Sequence, residues 1–320
     1  MLKRVTIQLG TLFLLVMMTL STGLNPITNS YIIELKGQAE DVMKEENPLY
    51  MEILRQKQKY DEAAIDAKVD PVWKAIPGYN GLRVDVQQSF ENMKEKDEFQ
   101  QDQLVLEEIT PEVTLQDLPT NPIYRGNKEK RMAGFMINVA WGNEYIPKML
   151  KVLDKHQVKA TFFLDGSWVK NNPNLAMMIK EEGHEIGNHA YSHPDMQTLS
   201  RERIRDEILR TNEIIDGTLQ VEPKWFAPPS GSYHDQVVKI AREFNLYTVL
   251  WTVDTVDWKK PNPSQMADQV VSKVEPGSLI LMHPTASSVN GLEQMINGIQ
   301  QKDLKLGTVS DVLSENRVAP

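Results

Sequence analysis

MAGFMINVAWGNEYIPKMLKVLDKHQVKATFFL, residues 132–164, is the stretch on which the fold turns. An apolar run over Met132–Ala140 gives way to a pattern in which Ile146, Met149, Leu150 and Leu153 recur at i, i+3, i+4 and i+7. A second apolar run follows at Val158–Leu164. Runs that are apolar throughout fit strands covered on both faces, and the 3.6-residue period between them fits a helix packed on the sheet. The alternation continues through Glu185–Ala190, Trp225–Pro228, Leu246–Val253, Leu279–Met282 and around Leu304–Gly307, with Leu292, Met295, Ile296 and Ile299 repeating the helical spacing. Short strands each followed by a helix imply parallel pairing with right-handed crossovers. Seven such units predict an α/β fold, a distorted (β/α)7 barrel over residues 131–318, with a doubly wound sheet as the alternative. In a barrel the chemistry belongs on the loops at the C-terminal ends of the strands.

The chain upstream of this repeat differs in character. Residues 31–130 hold 21 Asp and Glu against 13 Lys and Arg, whereas residues 131–320 hold 23 against 20. Residues 30–60 read as a charged helix. Ile65–Val69 and Trp73–Ile76 alternate like short strands around turn chemistry at Pro77-Gly78-Tyr79-Asn80-Gly81, and Val84-Asp85 leads into a helix through Phe90 and Met93. This small α/β module, about 61–97, is faintly similar to peptidoglycan-binding modules, and a spacer or docking element is the plainer reading. Residues 98–130, with Pro111, Pro119 and Pro122, read as a linker, so 29–130 forms an acidic, mainly helical stalk. At the start, Lys3 and Arg4 precede an uncharged run over Val5–Leu24. Residues 1–28 therefore predict an export signal, either cleaved near Ser21-Thr22-Gly23 or kept as a signal-anchor in the membrane. Positive-inside bias then places the rest of the chain outside the membrane.

With no Cys in 320 residues, thiolate metal sites, Cys nucleophiles and disulfide scaffolds are excluded. Neither half is basic, so nucleic acid is not an expected partner. All six His follow residue 150. His189 and His193 stand four apart in Gly183–His193, a spacing that lets two imidazoles face one metal, though two His are one ligand short of a usual catalytic site. His283 follows the Leu279–Met282 strand, where a general acid is well placed. Asp254 and Asp257 offer carboxylates to orient an imidazole, and Trp258 a wall for an apolar or sugar-facing pocket; core filling is the alternative for Trp258 and Trp251. His156, His184 and His234 read as structural.

Taken in order, Trp141–Lys148, Lys159–Gly166, Gly183–His193, Phe226–Gly231, Asp254–Trp258 and Leu281–His283 resemble the polysaccharide deacetylase (NodB-type) family, in particular its sporulation-associated branch. The resemblance covers about 180 residues and implies removal of acetyl groups from glycans such as peptidoglycan. A divalent metal such as zinc, held by one Asp and two His, would activate water. It implies His189 and His193 as metal ligands, His283 as the acid and Asp257 as the carboxylate supporting it. Trp258, Leu281, Pro229 and Tyr233 would line the substrate pocket.

The first motif departs from the family pattern. Asn138 stands where the base Asp belongs, Val139 where the metal-binding Asp belongs, and Ala227 where an Arg pairs with the base. An amide does not accept a proton at useful pH and an isopropyl group has no lone pair to donate. The losses agree with one another, because an Arg deprived of its carboxylate would be a buried, unpaired cation. Three readings follow, in order of preference. The chain binds acetylated cell-wall glycan without hydrolysing it, as a pseudoenzyme. Or it is a slow hydrolase of carbon–nitrogen bonds, with metal held at reduced affinity by His189, His193 and water or the Asn138 carbonyl. Or it is an envelope scaffold.

Overall fold

The computed structural model describes residues 47–318. The signal expected over 1–28 and the first part of the helix expected from residue 30 lie outside them. Among the described residues no helix is long and apolar enough to cross a membrane. Contacts divide the chain into two units, one running up to Asp61 and joined by Leu82–Glu107, the other made of Glu62–Gly81 and Glu108 onwards. The stretch 61–97 contributes to both.

In chain order the elements before the barrel are α1 (Pro48–Lys57), β1 (Lys68–Asp70), β2 (Lys74–Ile76), β3 (Gly81–Val84), α2 (Val86–Met93) and β4 (Leu106–Ile109). In the first unit both helices start on a side-chain cap. Asn47 accepts from the Leu49 and Tyr50 N–H groups, and Asp85 from that of Gln88. Leu49, Ile53, Val84, Phe90 and Met93 close its small core. In the second unit β1 and β2 form an antiparallel hairpin with Val69 opposite Ala75.

The barrel elements follow as β5 (Met132–Val139), α3 (Ile146–Lys155), β6 (Thr161–Leu164), α4 (Gly166–Asn171), α5 (Pro173–Glu181), β7 (Glu185–Asn188), α6 (Arg201–Leu219) and β8 (Trp225–Phe226). After them come α7 (Asp235–Glu243), β9 (Tyr247–Thr248), β10 (Val253–Asp254), α8 (Pro263–Lys273), β11 (Ser278–Met282), α9 (Ala286–Gln301), β12 (Lys305–Gly307) and α10 (Val309–Leu313). Eight strands make one parallel sheet in the order β10-β11-β5-β6-β7-β8-β9, with β12 paired to the start of β5. That order runs round the chain sequence and breaks only between β9 and β10. A doubly wound sheet reverses at a switch point instead, so the expected barrel-type α/β fold stands, as a curled, open barrel.

Two expectations need correction. The run Leu246–Val253 is not one strand but two, β9 and β10, at opposite edges of the sheet. Between them the Leu250 N–H donates to the Ile123 carbonyl beside β9 and the Thr252 N–H to that of Leu279 in β11, so the chain passes from one edge to the other between these two residues. The supposed linker is also not free. Ile123 is fully buried, and its N–H donates to the Thr248 carbonyl at 2.9 Å, placing the 121–125 segment alongside the end of β9.

Alternation along β5 separates two environments. Phe135, Ile137 and Val139 join the core between sheet and helices, with Met149, Leu150, Leu153 and Ile296 from α3 and α9. Met136 faces the barrel interior with Phe163, Trp225 and Leu279.

Candidate functional site

The C-terminal ends of β5, β6, β7 and β11 converge on one mouth. At the end of β5 Asn138 is buried and its Oδ1 has no hydrogen-bond partner. Val139, the last residue of β5, is fully buried in the helix-side core, and its carbonyl accepts the Asp165 N–H at 2.9 Å.

Beyond β7 the chain turns sharply through Ala190 and His193, both with positive φ. His189 is buried and its Nδ1 lies 2.7 Å from the Ala227 carbonyl. A carbonyl can only accept, so Nδ1 carries the proton and the Nε2 lone pair is left for another partner. His193 is exposed and meets His189 edge to face, ring centroids 5.2 Å apart. Burial, reinforced by His193 and His283 and opposed by the Ala227 carbonyl, lowers the His189 pKa to about 3.

Glu207 of α6 holds this loop. Its carboxylate is 1% exposed and accepts from the N–H groups of Tyr191 and Ser192 at 2.9 and 2.8 Å and from the Ser192 hydroxyl at 2.8 Å. The sequence carries a signal for it, a Glu within the buried stripe Ile204, Glu207, Ile208, Thr211, Ile215. Asp165 is a second residue that motif reasoning passed over. It caps α4 by accepting from the Trp168 N–H at 2.9 Å and takes the Ser167 hydroxyl on the same oxygen. Its other oxygen is buried without a partner, and burial raises its pKa against the pull of Ser167, Trp168 and His193.

On the opposite side, fully buried Asp257 accepts from His283 twice, from Nδ1 at 2.8 Å and from the backbone N–H at 2.6 Å. The Ser288 hydroxyl donates to the same carboxylate. These bonds fix the tautomer of His283 with Nε2 free to meet a ligand. Trp141 stacks on the His283 ring, centroids 5.8 Å apart and planes 9° from parallel. Gly142 makes that stack possible. Its φ is +85°, and a Cβ there would lie 2.1 Å from the Pro284 carbonyl oxygen.

Trp258 and Trp141 are 54% and 45% exposed, a pair of uncovered indoles at the mouth rather than core filling. Tyr233 lines a depression of about 610 Å³ with His193, Asp195, Ser230 and Ser232, and its hydroxyl lies 2.8 Å from that of Tyr124. Pro229 is buried in the turn after β8, and Leu281 is 4% exposed within β11. The other His serve the scaffold. His156 meets Glu293 at 3.2 Å, His184 accepts the Ala160 N–H, and His234 caps α7.

The donors do not make up the metal site that the motif resemblance implied. Among the described residues no three His, Asp or Glu side chains stand together to hold an ion. Val139, which the resemblance sets in the place of the oxygen donor, contributes a methyl pair to the core. No step can be routed through a metal held by this set.

Two neutral, buried His carry a pH consequence. Burial takes His184 down to about 4, as it takes His189 to about 3. The unfolded chain therefore binds protons below about pH 6.5 that the folded chain refuses. Stability is expected to fall as pH drops from about 6.5 towards 4, by up to about 1.4 kcal/mol per pH unit for each His. Urea midpoints across this range measure it, and a flat profile refutes it.

This fold and this motif order define a class of protein, and the chain belongs to the polysaccharide deacetylase family. The family model "Polysaccharide deacetylase" matches residues 125–249. The chain is 49% identical to the uncharacterized protein YlxY of Bacillus subtilis over 92% of each chain. It is 36% identical to a peptidoglycan-N-acetylglucosamine deacetylase of Bacillus cereus, over 54% of this chain and 65% of the relative. Among solved structures it matches BA3943 of Bacillus anthracis, described as a CE4 family pseudoenzyme, with a TM-score of 0.79 and 48% identity over 84% of this chain and 96% of the other. A mutant of BA3943, described as having restored enzymatic activity, matches with the same TM-score.

Proposed function

We infer that the chain recognises N-acetylated wall glycan of the peptidoglycan type and does not hydrolyse it. One observation carries this reading. His283 is locked on Asp257, while Asn138 and Val139, which the motif resemblance sets in the places of base and metal carboxylate, are an amide and a core side chain. An oriented imidazole and two exposed indoles can bind a sugar amide, and among the described residues no three His, Asp or Glu stand together to hold a metal that would activate water. Neutral sugars pair well with such a surface, their apolar faces on indole and their hydroxyls on polar atoms. The chain acts outside the bacterial membrane in spore-forming species, tethered or released according to the fate of Val5–Leu24.

Titration calorimetry with an N-acetylglucosamine tetramer tests the reading. Saturable binding is expected, with no acetate released over long incubation. Trp258→Ala is expected to weaken binding by about 1–1.5 kcal/mol, roughly tenfold. Equal binding by Trp258→Ala removes this cleft from the function, and steady acetate release by the wild type overturns the non-hydrolytic reading.

A further inference from the structure

The β1–β2 hairpin, read from sequence only as part of a spacer, forms one wall of a second recess. Residues 125–128 form the other wall, and all of it lies within the barrel unit. Its volume, about 270 Å³, approaches the small end of ordinary ligand pockets, roughly 300 Å³. Three features give it a chemistry.

The first is a half-buried indole. Trp73 lines the recess, with the Arg125 guanidinium carbon 5.9 Å from its ring centroid. Arg125 is anchored by one nitrogen on the Pro276 carbonyl at 2.8 Å, and its side chain is 14% exposed.

The second is a division of charge. Asp66 and Asp70 stand on the hairpin side. The Oδ1 of Asp66 accepts the Val113 N–H at 3.0 Å, and that of Asp70 accepts the N–H groups of Val72 and Trp73 at 2.8 and 2.9 Å. Both carboxylates are thus held in place, and the second oxygen of each has no hydrogen-bond donor among the described residues. Arg125 and Lys128 supply positive charge from the facing wall, with Lys68 on the hairpin. Arg125 and Lys128 each have one exposed carboxylate in long-range contact, Glu275 at 4.0 Å and Glu129 at 3.8 Å, and a neutral sugar would make no use of the charge that faces the recess. A ligand carrying both an ammonium and a carboxylate would satisfy both walls.

The third is a link to the candidate cleft. Tyr124 packs edge-on against Trp73, ring centroids 6.3 Å apart, and its hydroxyl meets that of Tyr233, which lines the depression beside His193.

We propose that this recess binds the free end of a short zwitterionic peptide. The side-chain ammonium of its diamino residue faces Asp66 and Asp70, the C-terminal carboxylate faces Arg125 and Lys128, and the aliphatic parts lie against Trp73. The inference rests on the glycan reading above, since peptidoglycan is a polymer in which such peptides branch from acetylated sugars. Recess and cleft then grip the two components of one polymer.

Calorimetry on the full chain with two separate probes distinguishes the two ideas. One probe is the free tetrapeptide alanyl-isoglutaminyl-lysyl-alanine, the other the peptide-free N-acetylglucosamine tetramer. Wild type is expected to bind the tetrapeptide, more weakly at high salt. Trp73→Ala, and separately the exposed double variant Lys68→Glu with Lys128→Glu, should each lower that affinity by about tenfold. Neither should change binding of the tetramer. Acetylating the lysyl side chain and amidating the C-terminus should abolish its binding, whereas acetylating the terminal amine alone should not. Failure of wild type to bind the free peptide, or equal binding of the blocked one, overturns the recess. Failure of the tetramer alone overturns the glycan reading and leaves the recess standing.

Discussion

Replacing three residues together, Asn138→Asp, Val139→Asp and Ala227→Arg, is expected to bring acetate release from N-acetylglucosamine oligomers up from background, with near-stoichiometric zinc in the purified protein. A general base alone is worth about 10²–10⁴ in rate, and a Lewis-acidic metal adds several kcal/mol of transition-state stabilisation. The rest of the machinery is in place, with His189 presenting Nε2 and His283 held on Asp257. Val139 is the last residue of β5 and faces the helix-side core, so a carboxylate there reaches the mouth only if the strand end shifts, and zinc uptake by the variant reports whether it does. The three changes must travel together. Ala227 is fully buried, and an Arg introduced there alone is an unpaired buried cation, costing about 3–5 kcal/mol. Asp at position 138 is its partner. A triple variant that folds and takes up zinc yet releases no acetate would show that the pocket has changed beyond these positions. The related BA3943, a pseudoenzyme with a mutant of restored activity, is the natural comparison.

The second large effect concerns stability. Glu207→Ala removes the one carboxylate on which the Tyr191 and Ser192 amides and the Ser192 hydroxyl converge, inside a site 1% exposed. Orphaning three donors at once is expected to destabilise the fold by about 3–5 kcal/mol. At roughly 2–4 °C per kcal/mol for a domain of this size, the drop in Tm should be easy to see in a thermal melt. Glu207→Gln keeps one acceptor and should recover part of the loss. If the alanine variant melts like the wild type, the loop that presents His193 is held by something else. The same variant should loosen His193 first, so amide exchange at 190–193 should rise even well below the melt.

Much of this was legible in the sequence, for a physical reason. A strand covered on both faces has little choice but a continuous apolar run, and the helices between such runs have little choice but a 3.6-residue stripe. β5 and α3 were therefore readable to within a residue or two, and α9 by its stripe, although it begins at Ala286, well ahead of Leu292. The run Leu246–Val253 misled because its composition is that of one buried strand. What divides it is a contact with Ile123, more than a hundred positions earlier, which no local pattern can announce. The same contact explains why a proline-bearing polar stretch reads as linker and yet lies against the sheet. At the mouth, motif order singled out His189, His193, His283 and Asp257, which the fold brings near one another. It passed over Glu207 and Asp165 because these work through backbone amides, whose positions depend on the folded loop and not on residue type. Which way Val139 points was equally hidden, since a residue at a strand end can face either side.

The bonding around Asp257 also bears on the order in which such a site can decay. Its carboxylate carries the His283 ring, the His283 amide and the Ser288 hydroxyl, so any single change there strands buried partners. A lineage drifting without selection for turnover meets a stability barrier on that side of the cleft and none at Ala227, where loss of the guanidinium removes a charge already deprived of its counterion. A His–Asp pair bonded in this way is retained for stability alone, so its presence in a sequence is weak testimony to catalysis.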